Sequence, residues 1–147
     1  MNGEHILLIE DDVVVSSIVI SRLRGQGYDV AGVGTVPEAL RAVRVRMPDL
    51  VILDLTLVDS GVAAGLTDGF AFLILLRRRH QQADLPVIIH SVDDSDAVRE
   101  RARSLGVFAV IKKGGPPDEL LAAVRAALDE GKARQAGPPP GPTPNGC

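Results

Sequence analysis

Apolar residues along the first 130 positions alternate between two periods. Short, near-continuous runs at residues 6–9, 50–53, 86–89 and 107–111 are dominated by Val, Ile and Leu. Such runs predict strands buried on both faces of a parallel sheet, because a strand covered by helices on each side has no polar face to show. A further run, residues 29–33, is interrupted by Ala31 and Gly32 and reads as a weaker strand at a sheet edge.

Between the runs the period becomes helical. Val15, Ile18, Val19 and Leu23 share one side of residues 13–24, ahead of Gly25. The β-branched residues there lower helix propensity without breaking the stripe. Val36, Leu40, Val43 and Met47 form a second stripe, with Pro37 suited to a first helical turn. Phe70, Leu73 and Ile74 open a third, closed by Arg77-Arg78-Arg79. That cationic run complements a helix C-terminus and offers charge to an acidic partner. Val98, Ala102 and Leu105 precede Gly106, and Leu120, Val124 and Leu128 follow Pro116-Pro117 and precede Gly131. Both glycines read as helix stops. Strand and helix repeated in this way predict an α/β fold whose right-handed crossovers put helices on both faces.

Residues 1–130 are expected to form one domain, and residues 131–147, GKARQAGPPPGPTPNGC, a Pro/Gly-rich disordered tail or linker stub. Composition narrows the function. Aromatics make up 3% with no Trp, so the core is aliphatic and base stacking is disfavoured. The net charge of −3 argues against nucleic-acid binding, and no window approaches a membrane span. The N-terminus has no signal-peptide pattern. The single cysteine, Cys147, cannot form an internal disulfide, and the cytoplasm is the expected location.

Chemistry enters at the strand ends, because open α/β sheets bind ligands at the carboxyl edge. The first run is followed by Glu10, Asp11 and Asp12, the third by Asp54, the fourth by His90 and Ser91, and the fifth by Lys112 and Lys113. Asp12 doubles as a helix cap. Gathered carboxylates raise one another's pKa unless a cation intervenes. Oxygen ligands without His or Cys suit Mg2+. A carboxylate can serve as the nucleophile that forms an aspartyl-phosphate, with a hydroxyl and a lysine on the phosphoryl oxygens.

Residues 6–12, 49–55, 86–91, 106–113 and 117–120, in that order and spacing, resemble the receiver domain of two-component response regulators, and the likeness spans residues 4–130. The single-domain, chemotaxis-regulator-like members are the nearest in organisation. The resemblance implies a flavodoxin-like, doubly wound, five-stranded parallel sheet in the order 2-1-3-4-5 with five helices. It implies that Asp54 accepts the phosphoryl group, that Ser91 and Lys113 hold it, and that Mg2+ is held by Asp11, Asp54, the Thr56 carbonyl and, through water, Glu10. It further implies a sensor histidine kinase or histidine phosphotransfer protein as donor, and an unnamed output protein as the binding partner switched by phosphorylation. The receiver then catalyses only its own phosphorylation and dephosphorylation and is not otherwise an enzyme.

Three positions depart from the family pattern. Residues 58–67 read as a Gly-rich insert beside the acceptor. Val92 replaces a small residue after Ser91, and with the insert is expected to lengthen the phosphorylated lifetime. Val110 stands where the family carries an aromatic ring that reorients, while Phe108 is out of register. Alternative readings are a phosphate shuttle or sink without its own output, a constitutive pseudo-receiver, and a phosphatase of the haloacid-dehalogenase type. The last is disfavoured by Glu10-Asp11 upstream and by a short chain. His5, His80 and His90 show no ligand spacing and are expected to be structural or solvated.

Overall fold

Strands and helices alternate strictly along the chain: β1 (His5–Ile9), α1 (Val13–Gly25), β2 (Asp29–Val33), α2 (Val36–Val45), β3 (Leu50–Leu53), α3 (Gly69–Arg79), β4 (Val87–Ser91), α4 (Asp96–Ser104), β5 (Ala109–Lys112) and α5 (Pro117–Ala136). These elements come from a computed structural model that describes residues 3–56, 69–80 and 85–136. All strand pairs are parallel, in the order β2-β1-β3-β4-β5, as the resemblance implied. The weak run at 29–33 is indeed an edge strand. The insert expected at residues 58–67 lies outside the described residues.

The strand period of two explains the near-continuous apolar runs. Leu7, Ile9, Val51, Leu53, Val87 and Ile89 face one core, built with Val36 and Val43 of α2, Phe72, Leu73 and Leu76 of α3 and Ala102 of α4. Ile6, Leu8, Leu50, Ile52 and Ile88 face the other, with Val19 and Leu23 of α1 and Leu120 and Val124 of α5. Every residue of β1 and β3 is buried, and each such aliphatic side chain stabilises the fold by about 1.5–3 kcal/mol.

Local chemistry sets the helix ends. Asp12 caps α1, its Oδ1 accepting the N–H groups of Val14 and Val15 at 2.9 and 3.1 Å. Thr35 caps α2 by accepting the Glu38 N–H at 3.2 Å, while its own hydroxyl donates to Glu38 Oε1 at 3.0 Å. The stripe reading overextended α2. Met47 lies beyond its end because Arg46 is already extended and Pro48 disfavours helix at the residue before it. Conversely, α5 does not stop at Gly131 but continues to Ala136. Gly131 does not take the positive φ of a glycine stop, and beyond it the Lys132 ammonium is held 2.6 Å from Glu4 Oε2. Residues 137–147 lie outside the described residues.

The Arg77-Arg78-Arg79 run divides in the fold. Arg77 turns inward and donates to the carbonyls of Leu85 at 2.7 Å, Leu105 at 2.9 Å and Gly106 at 3.0 Å, tying α3 to the entries of β4 and β5. Arg78 and Arg79 remain exposed. Among the described residues, no helix is long and apolar enough to cross a membrane.

Candidate functional site

Sheet register builds the site. Ile9 pairs with Leu53, so the next residues, Glu10 and Asp54, emerge side by side, and the Asp54 N–H donates to the Ile9 carbonyl at 3.0 Å. Ser91 pairs with Lys112, and the Lys113 N–H donates to the Ser91 carbonyl at 2.8 Å. The carboxyl edge of the sheet therefore collects Glu10, Asp11, Asp54, Thr56, Ser91 and Lys113, the six residues that the sequence singled out.

Contacts among them are close. Lys113 Nζ lies 2.6 Å from Glu10 Oε1 and 3.2 Å from Asp54 Oδ2. The Thr56 N–H donates to Asp54 Oδ1 at 3.0 Å, and the Thr56 hydroxyl reaches Oδ1 at 2.9 Å and Oδ2 at 3.1 Å. The other Glu10 oxygen accepts the Asp12 N–H at 3.2 Å. Glu10, Asp54 and Ser91 are buried, with relative exposures of 4%, 1% and 0%, while Asp11 is exposed.

These contacts set the charges. Burial pushes the Glu10 carboxyl up to about 7; the Lys113 bond opposes the rise, and the adjacent Asp54 adds to it. Burial also raises Asp54, but its hydrogen bond with Glu10, the Thr56 N–H and the Lys113 charge outweigh this and hold it below the ordinary carboxylate value. Glu10 is thus the partner that keeps a proton near neutrality, and Asp54 the one that stays ionised, as a nucleophile must. Burial lowers the Lys113 pKa, but its bond to Glu10 and the charge of Asp54 outweigh that and raise it, keeping the ammonium charged.

Glu10, Asp11 and Asp54 each offer a carboxylate oxygen within 4.8 Å of the others. An all-oxygen set of this charge fits a hard divalent cation, which would offset both the burial of the Glu10 carboxyl and its repulsion with Asp54.

Ser91 is at the site's edge, where its Oγ accepts the Asp93 N–H at 3.2 Å, and among the described residues no hydrogen bond joins it to Asp54. Ser95, not Ser91, caps α4. Sequence reasoning missed three contributors. The first is Thr56 as a double donor, since only its carbonyl was implied; the Asp-x-Thr spacing is a local signal for such bonds. The second is His90, half-buried beside the site, whose pKa burial lowers to about 4 with help from the Lys113 charge. The third is Gly69, where a Cβ would lie 2.6 Å from the Asp54 carbonyl oxygen and 2.8 Å from Leu55 Cα. Only a residue without a side chain lets α3 start against the acceptor's backbone.

Known proteins resemble this chain in sequence and fold. The description "Response regulator receiver domain" matches residues 6–125. The DNA-binding response regulator MtrA of Mycobacterium tuberculosis (strain ATCC 25618 / H37Rv) is 30% identical over 125 residues, covering 85% of this chain and 50% of MtrA. The chain spans about half the length of the curated relatives it matches. The crystal structure of NtrX from Brucella abortus superposes with a TM-score of 0.80 at 27% identity, over 92% of this chain and 29% of NtrX. The BeF3-activated N-terminal receiver domain of Klebsiella pneumoniae RstA gives 0.74 at 28% identity, over 84% and 97% of the two chains. With a match running nearly the full length of this sheet and through each of its acidic and basic strand ends, the chain belongs to the response regulator receiver domain family.

Proposed function

We propose that this chain is a phosphoacceptor receiver whose Asp54 accepts a phosphoryl group from a phosphohistidine on a sensor histidine kinase or histidine phosphotransfer protein. The observation that carries the reading is a buried yet ionised Asp54, 3.2 Å from a charged Lys113. An Asp54 carboxylate oxygen attacks phosphorus, forming a P–O bond as the donor's P–N bond breaks and its electron pair returns to the imidazole. Lys113 is placed to move from Glu10 and Asp54 onto the new phosphoryl oxygens, and the Thr56 N–H and hydroxyl supply further donors. Ser91 adds its hydroxyl once its side chain turns to the phosphoryl group. Glu10, Asp11, Asp54 and Thr56 are the residues to hold Mg2+, which when bound neutralises charge on the transferring group. Labelling is stoichiometric, not a turnover of small phosphomonoesters.

Phosphorylation then favours one conformation through the contacts of Ser91 and Lys113, and the α4–β5–α5 face presents that state to an output protein. The proposed partners are proteins, and the proposed setting is the cytoplasm. Val110, half-buried on β5 with no ring to reorient, favours a second reading in which the chain passes phosphoryl groups along a relay without its own output.

Acetyl phosphate with Mg2+ tests the acceptor role. A labile, single phosphorylation is expected in the parent and none in Asp54→Ala. An unlabelled parent defeats the proposal, and transfer from Asp54 onto a phosphotransfer histidine without output binding selects the relay.

A further inference from the structure

On the sheet face covered by α2, α3 and α4, helices α2 and α3 leave between them a groove of about 910 Å³. Leu40, Met47 and Leu75 contribute apolar surface, and Arg44, Arg78 and Arg79 supply cations along it. Met47 and Leu75 are 41% and 36% exposed, large apolar side chains left in water.

The charge pattern is one-sided. Among the described residues no carboxylate lines the groove. Helix α3, GFAFLILLRRR, has none at all. The one carboxylate of α2, Glu38, is engaged at the helix N-terminus by Thr35 and Gly34. Among the described residues Arg44, Arg78 and Arg79 form no ion pair, whereas neighbouring Arg77 is consumed by main-chain carbonyls. This concentration of positive charge sits on a chain of net charge −3.

An apolar floor edged by free cations is complementary to a segment with an apolar stripe flanked by carboxylates. The helices flanking it have 10 and 11 residues. At 1.5 Å per residue the groove is about 15 Å long and holds about three helical turns. The concavity does not seat a flat bilayer. Nor do the described helices of a second copy match it, because the most acidic of them, α5, with Asp118, Glu119, Asp129 and Glu130, buries its apolar side against the sheet.

We propose that the α2–α3 groove docks an acidic amphipathic helix of a partner protein, with the partner's apolar residues on Leu40, Met47 and Leu75 and its carboxylates against Arg44, Arg78 and Arg79. This contact is separate from the chemistry at Asp54 and is formed whether or not Asp54 is phosphorylated.

The test uses the full chain, isotopically labelled for NMR, and two fluorescent helical peptides of about twelve residues. Both carry Leu at helical spacing; one is flanked by Glu, the other by Lys. The Glu peptide is expected to bind saturably, to shift the resonances of Leu40, Met47 and Leu75, and to bind Arg78→Glu/Arg79→Glu at least about tenfold more weakly. The Lys peptide is expected to prefer that double variant. The altered arginines are exposed, and an unchanged amide spectrum away from α3 verifies the fold. The proposal is overturned by no saturation below about 1 mM, by equal binding of the two peptides, or by shifts confined to another face. It is overturned equally if phosphatidylglycerol vesicles but not the peptide are captured through these arginines, or if sedimentation shows the groove filled by a second copy that the double variant releases.

Discussion

The Lys113 ammonium stands 2.6 Å from Glu10, closer than its 3.2 Å approach to Asp54. The lysine therefore holds the acidic pair together from one side, and Glu10, whose burial with a smaller push from Asp54 raises its pKa, stays protonated up to about pH 7. Its folded pKa lies above the ordinary 4.5, so its contribution to stability is full below 4.5 and is lost as pH rises through about 7. A cation that replaces the proton should act mainly on the alkaline side. Mg2+ is expected to raise the melting temperature more at about pH 8 than at about pH 5.5, and Glu10→Gln to flatten that difference. Equal thermal shifts at both pH values would contradict the linkage.

His90 has the opposite sign. Burial lowers its pKa to about 4, so the unfolded chain takes up a proton near 6.5 that the folded chain refuses. Stability should fall as pH drops from about 6.5 towards 4, by about 1 kcal/mol between pH 7 and 5 once solvent screening of this half-buried ring is allowed for. Urea midpoints at the two pH values check this. The His90→Gln variant is expected to lose that part of the slope, and an unchanged slope would rule the histidine out.

Gly69 bears on the acceptor directly. A methyl group there would meet the Asp54 carbonyl oxygen and Leu55 Cα at 2.6 and 2.8 Å, both of them main-chain atoms. Gly69→Ala should cost about 1–3 kcal/mol in urea unfolding and slow acyl-phosphate labelling of Asp54. Labelling at the parent rate would show that α3 can shift without moving the acceptor.

Arg77 and Arg78 provide a matched pair. Removing the Arg77 guanidinium leaves the carbonyls of Leu85, Leu105 and Gly106 without that donor, and Arg77→Met should cost about 3 kcal/mol. Arg78→Met, one residue on at an exposed position, should stay within about 0.5 kcal/mol of the parent. Similar losses for both in denaturant titrations would refute the division of labour.

Val92 is 65% exposed immediately after the fully buried Ser91. Following Ser91 at the carboxyl end of β4, it is proposed to slow attack by water on the phosphoryl group. Val92→Ala should shorten the phosphorylated lifetime several-fold, measured as decay of labelled protein after removal of acetyl phosphate. An unchanged lifetime would leave Val92 without a role in it.

The residues at the strand ends were legible because parallel-sheet geometry is local information: a buried apolar run stops, and whatever follows it emerges at the carboxyl edge. This much brought Glu10, Asp54, Ser91 and Lys113 to one edge, while the choice of Ser91 over His90 and of Lys113 over Lys112 came from the family resemblance. Boundaries were less legible. Met47 continued a periodic stripe that Pro48 had already ended, and Gly131 resembled a stop although Lys132 beyond it is anchored to Glu4.

By itself, then, the sequence determined the alternating α/β order and the set of side chains delivered to one edge, since both follow from period and from what succeeds each run. Tertiary structure decided how those side chains share charge, because the proton on Glu10, the ionised Asp54 and the pairing of Lys113 depend on burial and on distances between strands far apart in the chain. It also decided which arginine of an identical run is buried structure and which is free surface. Nothing in three consecutive arginines distinguishes them until α3 packs and turns Arg77 toward carbonyls that only the folded chain brings within reach.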